Sequence, residues 1–107
     1  MKMALTRQFR ETVKARVERD PAFRESLLRE GIDAMLAGEL DTGKAILRDY
    51  INATVGFESL GAATGTSPKS LMRMFGPRGN ARAKNLFAVI GLLQRRAHLK
   101  LHVETMR

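Results

Sequence analysis

The sequence predicts a mostly α-helical domain of five to six helices with a short C-terminal β-strand. Apolar residues recur every three or four positions through most of the chain, which is the spacing of amphipathic helices. Proline pairs and glycines divide these stretches, and the last residues alternate between apolar and polar. The 107 residues, 44% of them hydrophobic, suit one domain spanning residues 1–107 with a modest core.

Three helices are predicted in the N-terminal part, residues 5–55. The first starts near Thr6 and ends at Asp20, because a residue before proline disfavours helical geometry. Asp20 can cap the second helix and Pro21 suits its first turn, so this helix runs to Gly38. The apolar faces of these two helices comprise Leu5, Phe9, Val13 and Val17, then Phe23, Leu27, Leu28, Met35 and Leu36.

The third helix is predicted over residues 41–55, on an apolar face of Leu47, Tyr50, Ile51 and Thr54, and Gly56 closes it. We expect the three N-terminal helices to complete the core and to contribute some dimer contact. A docking face for a partner protein is the open alternative, since an amphipathic helix can lie in another protein's groove.

Two short helices follow, over residues 58–64 and 68–75, and the turn between them is tight. Gly61 lets the second helix approach closely, and Gly65 can take the positive φ that a sharp turn requires. Ser67 can cap the second helix and Pro68 presets its first turn. Leu60 and Leu71 then face each other and the core. These features predict a helix-turn-helix, whose second helix enters a DNA major groove.

The C-terminal part, within residues 57–103, adds one more helix and the strand. Residues 76–80 interrupt the helical pattern. A helix is then predicted over residues 83–97, with Leu86, Val89, Ile90 and Leu93 on one face. Residues 99–103 alternate as a strand does. A lone strand cannot satisfy its backbone groups, so we expect it to pair with a second copy of the chain or with another protein.

The positive charge lies mainly in the C-terminal half. Lys and Arg number 10 in residues 1–56 against 9 acids, and 9 in residues 57–107 against 2 acids, within a net charge of +8. Basic charge concentrated beside a predicted helix-turn-helix indicates a polyanionic partner, and we expect double-stranded DNA. The alternatives are general solubility or a basic face that meets an acidic protein.

The predicted DNA contacts fall into two groups. Residues of the second short helix and its cap are expected to contact bases: Ser67, Lys69, Ser70 and Arg73. Arg73 is the strongest candidate, because a guanidinium can bind guanine through two hydrogen bonds. The turn, the following loop and the next helix start are expected to contact phosphates: Thr66, Arg78, Asn80, Arg82 and Lys84. A solvated surface without a DNA role is the alternative for both groups.

Residues 57–103 resemble the lambda-repressor-like helix-turn-helix regulators of the XRE class, and more narrowly the DNA-binding antitoxins of RelE-type toxin–antitoxin modules. The matching residues are Leu60, Gly61, Gly65, Ser67, Ser70, Leu71, Arg73, Gly79, Asn80, Asn85, Leu86 and the alternating tail. The resemblance implies a homodimer that binds operator DNA, represses its own operon and binds a cognate toxin. Two residues depart from the family pattern: Phe57 replaces a polar residue that contacts phosphate, and Arg82 replaces a hydroxyl residue that caps the next helix.

Other kinds of site have little support in the sequence. The chain has no cysteine, which excludes disulfides and thiolate metal sites and fits a reducing cytoplasm. Gly76 and Gly79 lack the rest of a nucleotide-binding loop, and His98 and His102 lack further ligands for a metal. We therefore expect no enzyme activity, no cofactor, no metal and no membrane span, and a cytoplasmic location.

The sequence thus predicts a sequence-specific DNA-binding transcriptional regulator, an autorepressing antitoxin of a toxin–antitoxin module. The competing hypothesis is a protein-interaction module that neutralises a partner protein without specific DNA binding. Binding of the pure protein to its own upstream DNA at physiological salt separates the two hypotheses.

Overall fold

The computed structural model of the protein describes residues 7–107, apart from the side chains of Arg7, Phe9 and Arg10. This part of the chain is mostly α-helical. Its helices are α1 (Arg7–Arg19), α2 (Pro21–Leu36), α3 (Leu40–Ala53), α4 (Phe57–Thr64), α5 (Pro68–Met74) and α6 (Ala83–Arg96). The predicted start near Thr6 and the apolar position Leu5 lie outside the described residues, as does the side chain of Phe9.

The boundary between α1 and α2 forms as the Asp-Pro pair predicts. Asp20 has extended φ and ψ angles of −127° and 92°, and its side chain accepts a hydrogen bond from the Phe23 amide at 3.1 Å. Pro21 occupies the first turn, where its missing N–H costs nothing. The Arg16 guanidinium lies 4.3 Å from the centre of the Phe23 ring, which joins the end of α1 to the start of α2.

Helices α2 and α3 pack closely because each has a glycine at the contact. A Cβ at Gly43 would lie 2.5 Å from Met35 Cγ and 2.8 Å from the Gly31 carbonyl oxygen. Helix α3 ends at Ala53, two residues before the predicted end, and Gly56 follows with a φ of +79°. Only glycine adopts such a φ at little cost, so the chain turns there into α4.

The main core cluster is formed by α2 to α6, and α1 adds the buried side chain of Val17. Leu28 of α2 and Leu47 of α3 are fully buried, as is Leu60 of α4. The rings of Phe57 and Phe75 lie 6.2 Å apart with a tilt of 57°, a favourable aromatic arrangement that joins the start of α4 to the end of α5. Helix α6 adds the four residues predicted for its inner face, Leu86, Val89, Ile90 and Leu93.

No strand forms in residues 7–107, so the predicted C-terminal strand is absent from the single chain. The tail folds back on α6 instead. The Leu99 amide donates to the Gln94 carbonyl at 3.1 Å, and the Leu101 amide donates to Gln94 Oε1 at 2.7 Å. Gln94 thus accepts hydrogen bonds from two alternate amides of the tail, one through its backbone carbonyl and one through its side chain. Pairing of residues 99–103 with a second copy stays a prediction.

Candidate nucleic-acid interface

Helices α4 and α5 are joined by a turn that only small residues permit. Gly65 lies in the left-handed region, with φ of 69° and ψ of 21°, and its amide donates to the Gly61 carbonyl. A Cβ at Gly61 would lie 2.6 Å from the Thr66 carbonyl oxygen and 3.3 Å from Pro68. The roles expected for both glycines are therefore confirmed, and α5 is held against α4 by backbone contact.

The first turn of α5 is capped by Ser67, as the sequence predicts. Ser67 Oγ accepts a hydrogen bond from the Ser70 amide at 3.1 Å and donates to Ser70 Oγ at 2.8 Å. Pro68 occupies the first helical turn. The Ser67 hydroxyl thus both accepts and donates a hydrogen bond within the first turn, so it stabilises the start of α5 in the free chain. The Ser70 hydroxyl accepts from Ser67, and its own proton can still donate to another group.

All nine residues predicted to contact DNA are exposed. On α5 and its cap they are Ser67, Lys69, Ser70 and Arg73, and elsewhere they are Thr66, Arg78, Asn80, Arg82 and Lys84. Leu71, between them on α5, is 2% exposed and packs in the core. Helix α5 therefore turns one apolar face inward and presents the remaining polar and basic side chains to solvent.

Five of the nine residues line one groove of about 250 Å³ between α5 and the start of α6: Thr66, Ser70, Arg73, Asn80 and Arg82. No acidic side chain lines this groove, which we call the α5–α6 groove. Two guanidinium groups and several amide and hydroxyl groups therefore converge there without an acidic neighbour among the lining residues. Ser67, Lys69, Arg78 and Lys84 lie outside the groove lining, on the surrounding surface.

The loop of residues 76–80 folds back on the end of α5. The Gly76 amide donates to the Arg73 carbonyl at 3.1 Å, and the Gly79 amide donates to the Gly76 carbonyl at 3.1 Å. A Cβ at Gly79 would overlap the Arg73 carbonyl oxygen. Only glycine fits at this point, and the position of Arg78 and Asn80 relative to α5 is thereby restricted.

The start of α6 has no side-chain cap. Arg82 is the N-cap residue, with an extended backbone and no hydrogen bond from its side chain to the first turn. This agrees with the missing hydroxyl at position 82 noted in the sequence. The first-turn amides of a helix lack internal acceptors and favour an anion, so an uncapped start beside Arg82 and Lys84 suits a phosphate.

The sequence did not predict two residues of this region, one that lines the groove and one that supports the loop. Asn85, in the first turn of α6, lines the α5–α6 groove and is exposed. Lys44 of α3 is only 2% exposed, and its Nζ donates to the Gly79 carbonyl at 2.9 Å. The spacing of Lys44 from the buried Leu47 and Ile51 places it on the inner face of α3, and that register was the available indication.

A second groove, of about 760 Å³, shares no lining residue with the α5–α6 groove. Tyr50 lies at this groove, where burial raises the pKa of its hydroxyl and the nearby Arg24 partly opposes the shift. Within the described part of the chain, no three His, Asp or Glu side chains cluster as metal ligands would. None of the helices in residues 7–107 combines the length and apolar character needed to cross a bilayer.

The α5–α6 groove and the basic surface around it form the candidate nucleic-acid interface. Its members come from α5, the loop of residues 76–80 and the start of α6, and they are set in place by Gly61, Gly79 and Lys44. Comparison of the chain with protein-family models, curated proteins and solved structures found no match. A functional assignment therefore rests on the residues of this surface.

Proposed function

We propose that the protein is a sequence-specific DNA-binding transcriptional regulator in which α4 and α5 act as a helix-turn-helix. The observation that carries the proposal is the α5–α6 groove, where Ser70, Arg73, Asn80 and Arg82 converge without an acidic side chain in the lining. A surface of this composition favours the anionic DNA backbone, and α5 offers polar groups to the base edges.

Helix α5 supplies the base contacts in this proposal. An α-helix with its side chains is about 10–12 Å in diameter, which matches a major groove about 12 Å wide. Arg73 donates to guanine O6 and N7, and Ser70 makes a smaller polar contact from the same face, three residues away. Lys69 lies beside them and binds either a guanine or a phosphate. Ser67 contributes mainly by capping the helix.

Phosphate contacts come from the two sides of α5. Thr66 precedes the helix, while Arg78 and Asn80 lie in the loop that packs on its end. Arg82 and Lys84 flank the uncapped start of α6, whose free amides add to their attraction for phosphate. These contacts fix the register of α5 on the duplex and supply much of the affinity, without distinguishing sequences.

A homodimer is part of the proposal, with α6 and the tail as its contact. Phe87 on α6 keeps 68% of its surface exposed and Val103 in the tail keeps 73%. Exposed apolar side chains on neighbouring elements are typical of an interface, and an aromatic residue there is a common anchor. Two-fold symmetry would place two copies of α5 about 34 Å apart, one turn of DNA, on a palindromic operator.

The resemblance of residues 57–103 to RelE-type antitoxins supports an autorepressor that also binds a toxin. A toxin-neutralising module without specific DNA binding is the competing proposal. The exposed Leu36 and Leu40, at the turn between α2 and α3, offer that alternative an apolar contact away from α5. A shift of the protein's own upstream DNA by pure protein at physiological salt favours the repressor, and its absence favours the alternative.

The experiment that tests base readout compares Arg73→Ala with Arg29→Ala on upstream and scrambled duplexes. Arg29 is an exposed arginine of α2, so its removal changes the net charge equally. We expect Arg73→Ala to lose about 1–3 kcal/mol of discrimination and to retain salt-sensitive binding. Arg29→Ala should keep its discrimination. Equal losses by Arg73→Ala on both duplexes would reject base contact by Arg73.

A further inference from the structure

Lys44 is a buried lysine whose charged end is not needed to fill the core. It lies on α3 with 2% of its surface exposed, and Nζ donates to the Gly79 carbonyl at 2.9 Å. Burial of an ammonium group costs desolvation, and one neutral carbonyl returns only part of that cost. A methionine of similar length would fill the same space without a charge. The hydrogen bond to the Gly79 carbonyl therefore best explains a lysine at this position.

The bond from Lys44 fixes the orientation of one peptide unit in the loop of residues 76–80. The described chain has no cis peptide bonds, and in a trans peptide the carbonyl and the following N–H point in opposite directions. The Gly79 carbonyl points inward to the buried Lys44. The amide of Asn80, on the other side of the same peptide, therefore points away from the core.

The outward amide of Asn80 lies in the region already identified as basic. It donates to no acceptor within residues 7–107, and Asn80 itself is exposed and lines the α5–α6 groove with Arg73 and Arg82. A backbone N–H flanked by guanidinium groups is a common donor to a DNA phosphate. The buried Lys44 charge, on the inner side of the same peptide, is screened little by salt and adds to the attraction.

Contact between the loop and α5 limits how the peptide could otherwise turn. Gly79 lies against the Arg73 carbonyl, where a Cβ would overlap, so rotation of the loop is sterically restricted on that side. Lys44 supplies the polar contact from α3 that selects one orientation of the carbonyl. Helix α3 is thereby coupled to the phosphate-facing loop across 35 residues of sequence.

We propose that Lys44 is a positioning residue for DNA binding, which holds the Gly79–Asn80 peptide so that the Asn80 amide donates to a backbone phosphate. This inference rests on the proposed function and adds a residue of α3 to it. Lys44 itself touches no DNA in this arrangement. Its effect on binding passes through the orientation of one peptide unit and through its buried charge.

The test compares Lys44→Met with Lys14→Met on the upstream duplex, between about 50 and 200 mM salt. Lys14 is an exposed lysine of α1, so both variants lose one positive charge. Lys44→Met should bind about tenfold more weakly, the effect of roughly one lost hydrogen bond to a charged acceptor. Its salt slope should stay close to that of the unmodified protein, because the donor that is lost is a neutral amide and counterion release follows the charged contacts. Lys14→Met should change affinity by about twofold or less, because exposed charges are screened.

A second readout is the chemical shift of the Asn80 amide, measured by nuclear magnetic resonance on the unmodified protein. If Lys44 served only to stabilise the fold, adding DNA would not change this shift. The Asn80 amide resonance should shift when the upstream duplex is added, and should shift less in Lys44→Met. If Lys44→Met fails to fold, the unmodified protein decides the matter, because an unshifted Asn80 amide overturns the proposal.

The outcomes separate this inference from the proposed function. Unmodified protein that binds no DNA contradicts the proposed function and the role of Lys44 together. Unmodified protein that binds the duplex, with a folded Lys44→Met variant of equal affinity, overturns the role of Lys44 alone.

Discussion

The close contact between α4 and α5 makes Gly61→Ala a sharp test of how the candidate interface is built. The new Cβ would lie 2.6 Å from the Thr66 carbonyl oxygen, a backbone atom that cannot rotate away, and 3.3 Å from Pro68. Overpacking of this kind costs about 1–3 kcal/mol. The higher helix propensity of alanine returns about 1 kcal/mol, so we expect a net loss of about 0–2 kcal/mol in the free energy of unfolding.

Gly91→Ala is the matched control, because Gly91 is also inside a helix. A Cβ there would meet only the end of the Arg95 side chain, at 3.4 Å, which is an ordinary contact with a group that can move. This variant should gain about 0.5–1 kcal/mol. Since both substitutions share the propensity term, the difference of about 1–3 kcal/mol between the variants isolates the contact of α4 with the turn.

Urea denaturation followed by far-UV circular dichroism measures both free energies, at one protein concentration because dimerisation would add a concentration dependence. Gly61→Ala should also lose discrimination between the upstream and scrambled duplexes, since α5 must shift to relieve the clash. If Gly61→Ala proves as stable as Gly91→Ala with unchanged denaturant slopes, the contact between the turn and α4 does not constrain how α5 packs.

Two further predictions concern α5 and the larger groove. Ser67→Ala should lower the free energy of unfolding by about 1 kcal/mol through loss of the cap, whereas Ser26→Ala, at an exposed site inside α2, should change it by less than about 0.5 kcal/mol; equal effects in urea denaturation would deny Ser67 its role. Tyr50 is the single tyrosine, so its ultraviolet absorbance titration should give a midpoint above the ordinary pKa of 10.0 in the folded chain and near 10.0 in denaturant. Because folding raises this pKa, its contribution to stability is complete below pH 10 and is lost as pH rises through the folded value; a folded midpoint at or below 10.0 would contradict the burial of the hydroxyl.

Local patterns predicted the geometry of α4, the turn and α5 well. Gly61, Gly65 and Ser67 each act within about five residues, so the sequence contains nearly everything that their roles require. The same holds for Asp20 at the start of α2, whose side chain caps the amide three residues ahead. Helix ends were less exact, since α3 stops two residues earlier than its apolar pattern suggests.

Contacts between distant parts of the chain were not predictable in the same way. The bond from Lys44 to Gly79 depends on how α3 packs beneath the loop of residues 76–80, and periodicity can show only that Lys44 lies on an inward face. The alternation of residues 99–103 predicts a strand, but a strand needs a partner. In the single chain, Gln94 accepts hydrogen bonds from two amides of that tail instead.

Selection of binding sites from a pool of random DNA duplexes tests the central claim most directly, because it assumes nothing about where the operator lies. A dimer that inserts α5 into successive major grooves should enrich an inverted repeat with half-site centres about 10 base pairs apart. The enriched sequence should bind at least about a thousandfold more tightly than random duplex at physiological salt. A pool that remains random after repeated rounds, or enriched duplexes that bind no better than the starting pool, would contradict sequence-specific DNA recognition by this surface.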